Sequence, residues 1–206
     1  MYKLYWAPNT GAFAPDVVMN LAGVPFERIA VDVDAGEQHG EAFRRLNPMG
    51  QVPYLQLPDG RGISESAAMV LHLVDAFPAA GLAPAPGTQD RAVFDRWLLF
   101  MAVNVYTADL RYYYPERYST QDGSAEGVKA AAARDLDRQF DILAAALETC
   151  GGPFLLGGDY GAADLYLLML ADWYPPARRL PALQRLCDGL LTIPKISSIY
   201  ASYIKK

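Results

Sequence analysis

Sulfur and imidazole are scarce in this 206-residue chain, which holds two cysteines and two histidines. Cys150 and Cys187 lie far apart, outside any CxxC pair or zinc-ligand spacing, and read as packed or inert thiols. His39 and His72 are too isolated for a metal site, and His72 falls inside a helical apolar pattern, so no metal is expected. Runs of Lys and Arg are missing too. With 18 basic and 23 acidic residues the net charge is −5, which excludes an extended nucleic-acid or anionic-membrane surface and leaves small molecules as the default partners. No apolar run is of bilayer length, and Met1 to Pro8 contains no signal-peptide core, so a cytoplasmic location is expected. What is abundant is apolar: 52% of residues are hydrophobic, enough for a substantial core in one domain or two small ones.

Tyr2, Leu4 and Trp6 alternate with Lys3 and Tyr5 as in a strand, and Asn9-Thr10-Gly11 is a turn. Ala14, Val17, Val18 and Leu21 recur at helical spacing, with Pro15 in the first turn and Gly23 as a stop. Phe26 to Val33 reads as a second strand with Ile29, Val31 and Val33 inward, which completes a βαβ unit. A short helix near Glu41 to Leu46 follows, then a strand from Tyr54 to Leu57. Asp59-Gly60 turns that strand into a short antiparallel one at Gly62 to Ser64, and a helix runs from Glu65 to Phe77. The first domain is thus β-α-β-α-β-β-α over residues 1–78. The Pro- and Gly-rich stretch 79–87 is a linker. Residues 88–206 are nearly all helical, with Thr88 as an N-cap and helices at 91–110, 125–149, 162–173, 181–190 and 194–203. The fold class is α/β followed by all-α.

Two short motifs carry chemistry. At Val52-Pro53, a proline at a strand mouth lacks an N–H and can take the cis form. It can leave the Val52 N–H and C=O open to an extended peptide ligand, or it can simply be a strand-edge proline. At Glu65-Ser66 a helix begins. Its first N–H groups, its dipole and the Ser66 hydroxyl suit a carboxylate, and Glu65 suits an ammonium; plain capping would use the same residue types.

Together these segments resemble the glutathione transferase family, in which a thioredoxin-like domain precedes a helical one. The likeness rests on Asn47-Pro-Met-Gly-Gln-Val-Pro53, on Ile63-Ser-Glu-Ser66 and on Gly158-Asp-Tyr-Gly-Ala-Ala-Asp164, and it covers both domains. It implies that Val52 bonds the cysteinyl backbone of glutathione, that Pro53 is cis, that Glu65 and Ser66 hold the γ-glutamyl end, and that Gln51 adds a contact. Phe13-Ala14-Pro15 and Gly23-Val24-Pro25-Phe26 are most similar to the bacterial beta-like classes. Those classes place Cys then Ser where this chain has Gly11 and Ala12, and Met49 replaces their loop lysine. Mixed-disulfide chemistry of a cysteine-bearing relative is therefore not expected. Asn9 and Thr10 remain in the turn, either as shapers of it or as thiolate donors together with a backbone N–H of the following helix. Tyr106 falls roughly where beta-like members carry a histidine near the thiol, and is the third candidate donor. Asp164 reads as a structural helix-start residue whose usual capping Ser or Thr is replaced by Gly161, with Asp159 as a candidate substitute.

The resemblance implies an enzyme that binds glutathione as co-substrate and activates its thiolate toward a small hydrophobic electrophile, a detoxification chemistry, in a homodimer. Tyr112, Tyr113, Tyr114 and Tyr118, with Trp97, Phe100 and Met101, are either an apolar wall for that electrophile or core. Competing readings are a non-catalytic module of the same fold that binds a ligand or protein, and a glutathione-dependent disulfide or peroxide reductase.

Overall fold

The computed structural model describes residues 1–204. Two compact units emerge: Met1–Ala83 together with the segment from Leu191 onward, and Pro84–Leu190. In the first unit the elements are β1 (Tyr2–Trp6), α1 (Phe13–Leu21), β2 (Phe26–Ala30), α2 (Glu41–Leu46), β3 (Tyr54–Gln56), β4 (Gly62–Ile63), α3 (Ser66–Ala76) and, from the far end of the chain, α9 (Pro194–Tyr203). The strands order as β2-β1-β3-β4, with β1 parallel to β2 and β3 antiparallel to both neighbours. This is a thioredoxin-like sheet.

β1 alternates as its sequence dictates, with Leu4 buried between half-exposed Lys3 and Tyr5. β2 ends at Ala30, short of the expected Val33, because its partner runs out: Ala30 lies opposite Trp6, the last residue of β1. Val31 still donates its N–H to the Trp6 carbonyl at 2.9 Å, then turns its side chain into a cluster with Phe43 and Tyr54. Gly62 is required by that packing, since a Cβ there would stand 1.9 Å from the Tyr54 hydroxyl oxygen and 2.1 Å from its ring.

One element joins a different unit from the one expected. The boundary 88–206 assigned the last helix to the helical domain, whereas α9 belongs with the first unit. Ile196, Ile199 and Tyr203 form a buried stripe at helical spacing, and Tyr200 and Tyr203 meet Phe13 of α1 edge-on at 6.0 and 5.5 Å. The Lys195 ammonium donates to the Asn20 carbonyl at the end of α1.

The second unit comprises α4 (Gln89–Phe100), α5 (Tyr106–Tyr113), α6 (Ala125–Thr149), α7 (Ala162–Trp173) and α8 (Pro181–Leu191). Thr88 caps α4 by accepting the Arg91 N–H at 3.1 Å. The helix expected over 91–110 is interrupted by a π turn at Met101–Val105, which joins α4 to α5. α7 is buried on nearly every side and forms the unit's axis. At its start the Asp164 carboxylate accepts the N–H groups of Leu155 and Gly161, both at 2.8 Å. Gly161 has no side chain to accept an N–H, so only the reciprocal half of a capping box is present, the Asp164 carboxylate reaching back to the Gly161 N–H, and no Asp159 side-chain bond replaces the missing half among the described residues. Burial pushes the Asp164 carboxyl up to about 6, against the lowering effect of those two N–H bonds. No helix among the described residues is long and apolar enough to cross a membrane.

Candidate functional site

The register of the sheet brings three distant segments to one end of it. Tyr5 pairs with Tyr54, so the chain leaving β1 through Asn9 and Thr10 emerges beside the chain entering β3 through Val52 and Pro53. Leu55 pairs with Ile63, so the chain leaving β4 through Glu65 and Ser66 runs toward that same end. Thr10, Val52 and Ser66, separated in sequence by tens of residues, therefore share one edge of the first unit.

Each segment is held in an unusual local shape. The Val52-Pro53 peptide bond is cis. β3 begins two residues after Val52, whose backbone makes no hydrogen bond among the described residues and whose side chain packs on the Val31, Phe43 and Tyr54 cluster. The loop before it is braced by Asn47, buried at 3% exposure, whose amide donates to the Gln51 carbonyl at 2.7 Å and whose side-chain oxygen accepts the Met49 N–H at 3.3 Å. This bracing role of Asn47 in the candidate site was not revealed by the sequence, although the residue opens the loop motif. Gln51 is exposed beside it, and Met49 is exposed at 68%.

Asn9 and Glu65 are the non-glycine residues with left-handed backbone among those described, at φ of 53° and 66°. Such backbone costs on the order of 1 to 3 kcal/mol and tends to gather where a ligand is held. Both flank the same sheet end. Glu65 is exposed and its carbonyl starts α3 by accepting the Met69 N–H. No side chain caps α3, whose first residue is the buried Ser66, so its leading N–H groups and dipole face the site end of the sheet.

The Thr10 hydroxyl donates its single proton to the Ala7 carbonyl at 2.7 Å and accepts a long bond from the Ala12 N–H at 3.4 Å. A thiolate placed at this turn would thus meet the amides that open α1 first. It would meet the Thr10 proton only after that hydroxyl turns away from Ala7. α1 also lacks a side-chain cap. Tyr106, the third candidate donor, lies in the second unit, half-buried, with its ring edge-on to Trp173 at 5.2 Å. Trp97 and Met101 are core of that unit, whereas Tyr113, Tyr114 and Tyr118 are exposed. Cys187 is buried, its thiol pushed up to about 11 by burial, and the half-buried Cys150 thiol donates to the Phe154 carbonyl at 2.9 Å. Among the described residues no cluster of ligating side chains could hold a metal.

A buried ionic group sits directly behind the turn. Asp16 of α1 is wholly buried and receives the Arg28 Nε at 3.0 Å, the Tyr203 hydroxyl at 2.8 Å and the Asn20 amide at 2.8 Å. Burial nonetheless pushes its carboxyl up, with Arg28, Tyr203 and Asn20 pulling the other way. The Arg28 guanidinium lies over the Trp6 ring at 3.8 Å.

A thioredoxin-like unit with a cis-proline strand mouth facing an uncapped helix start, followed by a helical unit, defines the class of protein. The model of the glutathione S-transferase N-terminal domain matches residues 14–76. An uncharacterised glutathione S-transferase-like protein of Escherichia coli K12 is 27% identical, over 97% of each chain. A glutathione S-transferase of Dianthus caryophyllus is 30% identical over 73% of this chain and 66% of its own. Among solved structures, a sphingomonad glutathione S-transferase complexed with glutathione superposes with a TM-score of 0.83 at 29% identity, over 98% of each chain. The bacterial transferase BphK, solved as a ternary complex, gives 0.85 at 28% identity over 98% of each chain. The chain belongs to the glutathione S-transferase family.

Proposed function

We propose that this protein is a glutathione transferase that binds glutathione at the open end of its sheet and activates the thiol for attack on a hydrophobic electrophile. The observation that carries this reading is the convergence of Val52, Ser66 and the Asn9-Thr10 turn at that end, where the Val52 backbone makes no hydrogen bond among the described residues and no side chain caps α1 or α3. Val52 has the free main-chain edge that an extended tripeptide would pair with. The α3 N-terminus and Ser66 suit the γ-glutamyl carboxylate, Glu65 suits its ammonium, and Gln51 lies within the same loop. Relatives solved with glutathione bound support the same ligand.

The thiol is the demanding part. A free thiol with a pKa near 8.5 is only about 3% ionised at pH 7, and lowering that pKa by about two units takes roughly 2.7 kcal/mol of preference for the anion. Cysteine and serine are absent from the turn, so within the first unit this preference falls to the amides opening α1 and to Thr10 and Asn9. The protein acts as a cytoplasmic homodimer in this reading.

Calorimetric titration with glutathione, alongside the ultraviolet thiolate band across pH, tests the proposal. Ser66→Ala is expected to weaken binding about tenfold, the loss of one charge-assisted bond. The bound thiol should titrate well below its free value. Saturable binding with an unshifted thiol would instead favour a non-catalytic module, a reading to which Gly11, Ala12 and the commitment of the Thr10 proton to Ala7 lend support. No binding at millimolar glutathione would remove the transferase reading altogether.

A further inference from the structure

We propose that Tyr203, the last residue of α9, is a positioning residue for the thiol-activating turn, so that the C-terminal helix forms part of the machinery that aims the amides around Asn9 to Ala12. The proposal rests on the transferase reading above and extends it to a residue more than a hundred positions beyond the glutathione-binding segments.

Tyr203 reaches the turn in three ways. Its carbonyl accepts the Asn9 N–H at 2.9 Å. Carbonyls in the last turn of a helix have no intrahelical partner, so this one is available to the strained residue that opens the turn. Its ring packs against both flanks of the turn, 5.1 Å from Trp6 at the end of β1 and 5.5 Å from Phe13 at the start of α1. Its hydroxyl donates to Asp16 at 2.8 Å, one turn into α1. Burial and the adjacent Asp16 push the hydroxyl up, which keeps it a proton donor. Arg28 closes the bracket, paired to Asp16 and stacked on Trp6, with its other end near the Ser202 hydroxyl at 3.4 Å.

The turn itself has few means of holding its shape. Asn9 is exposed and left-handed, the Thr10 hydroxyl bonds to backbone three residues before it and two after it, and the Thr10 carbonyl accepts a long bond from the Phe13 N–H at 3.4 Å. A non-glycine residue stays in left-handed backbone when its surroundings over-determine it. Here the main determinant from outside the turn is the carbonyl of Tyr203. Misaim of the amides would weaken their bond to a thiolate while leaving the Val52 and Ser66 contacts to the peptide intact, because those segments are braced separately by Asn47 and α3.

The test separates thiol from peptide. S-methylglutathione, which has no thiol, reports the peptide site, and the thiolate band of bound glutathione reports the turn. In Tyr203→Ala the bound thiol should titrate about one unit higher, with about tenfold less thiolate at a fixed pH below it. Exchange of the Asn9 amide should speed by about tenfold or more, and affinity for S-methylglutathione should stay within about twofold. Both variants keep the backbone carbonyl; alanine removes the ring and hydroxyl that seat it, whereas Tyr203→Phe keeps the ring, removes the bond to Asp16 and should shift the thiol by about half as much. An unchanged thiol titration in either folded variant overturns the proposal. So does a parallel loss of S-methylglutathione and thiolate, which would mark general loosening. If the unsubstituted protein binds neither ligand, the transferase reading itself falls, and this inference with it.

Discussion

Replacing Asp164 with alanine should be among the most damaging single changes in the helical unit. The carboxylate is 1% exposed and accepts two backbone N–H groups at 2.8 Å, from Leu155 in the preceding loop and from Gly161 at the helix start. Both donors are buried, and alanine leaves both without a partner. An orphaned buried donor costs about 1 to 3 kcal/mol, so the pair should cost about 3 to 4 kcal/mol at neutral pH once relief of the buried charge is allowed for. At roughly 2 to 4 °C per kcal/mol for a chain of this size, the melting temperature should fall by about 10 °C. Asparagine, which keeps one acceptor oxygen, should recover no more than about half of this. The penalty should also depend on pH. A carboxyl raised in the folded state from 3.8 to about 6 stabilises most fully below the unfolded value, and that contribution is lost as pH rises through the folded one. The gap between wild type and Asp164→Ala should therefore be smallest above pH 6 and widen by up to about 3 kcal/mol toward pH 4. Urea unfolding followed by far-ultraviolet circular dichroism at several pH values measures this directly. A penalty below about 1 kcal/mol at every pH would refute the assignment of Asp164 as the partner of both amides.

Asp109 makes a second pH prediction. Both of its carboxyl oxygens are buried without a hydrogen-bond partner, and burial holds its carboxyl well above the usual carboxylate range. One extra proton is then bound by the folded state, so stability should fall by at most about 1.4 kcal/mol per pH unit as pH rises above the ordinary 3.8, a slope that Asp109→Asn removes. Parallel pH profiles of the two proteins would contradict this. Gly62→Ala should destabilise by about 1 to 3 kcal/mol, because the new methyl would collide with the Tyr54 ring. In a Tyr54→Leu background the same substitution should cost less than about 0.5 kcal/mol, as read by a double-mutant cycle in urea.

Much of this architecture is legible in local sequence. Helices α6, α7 and α9 begin and end where their flanking glycines, prolines and caps say they should, because those signals act within a few residues. The Val52-Pro53 and Glu65-Ser66 pairs were visible for the same reason. What stayed hidden was set by distant partners. β2 stops at Ala30 because β1 stops at Trp6. The π turn at Met101–Val105 leaves no composition signal. The apolar stripe of α9 announced a buried face, but nothing in Ile196, Ile199 or Tyr203 says that its counterpart is α1 rather than another helix of the bundle. The pairing of Arg28 with Asp16 is equally silent, since each looks like an ordinary surface charge until the fold brings them to 3.0 Å. Thr10 was legible as a hydroxyl in the turn after β1, and only coordinates reveal where its proton goes.

The return of α9 to the first unit also shapes how the chain reaches its final form. The helical unit is in effect an insertion, since residues 84–190 separate two pieces of one folded body. The Tyr203 to Asp16 bond closes a separation of 187 residues. Loop-closure entropy rises only logarithmically with length, so the distance is tolerable once the intervening segment is compact. A sheet unit emerging from the ribosome would hold most of its core early, yet its Asn9-Thr10 turn would wait for α9. Ordering of that turn is therefore expected as a late event in folding, after residues 84–190 have become compact.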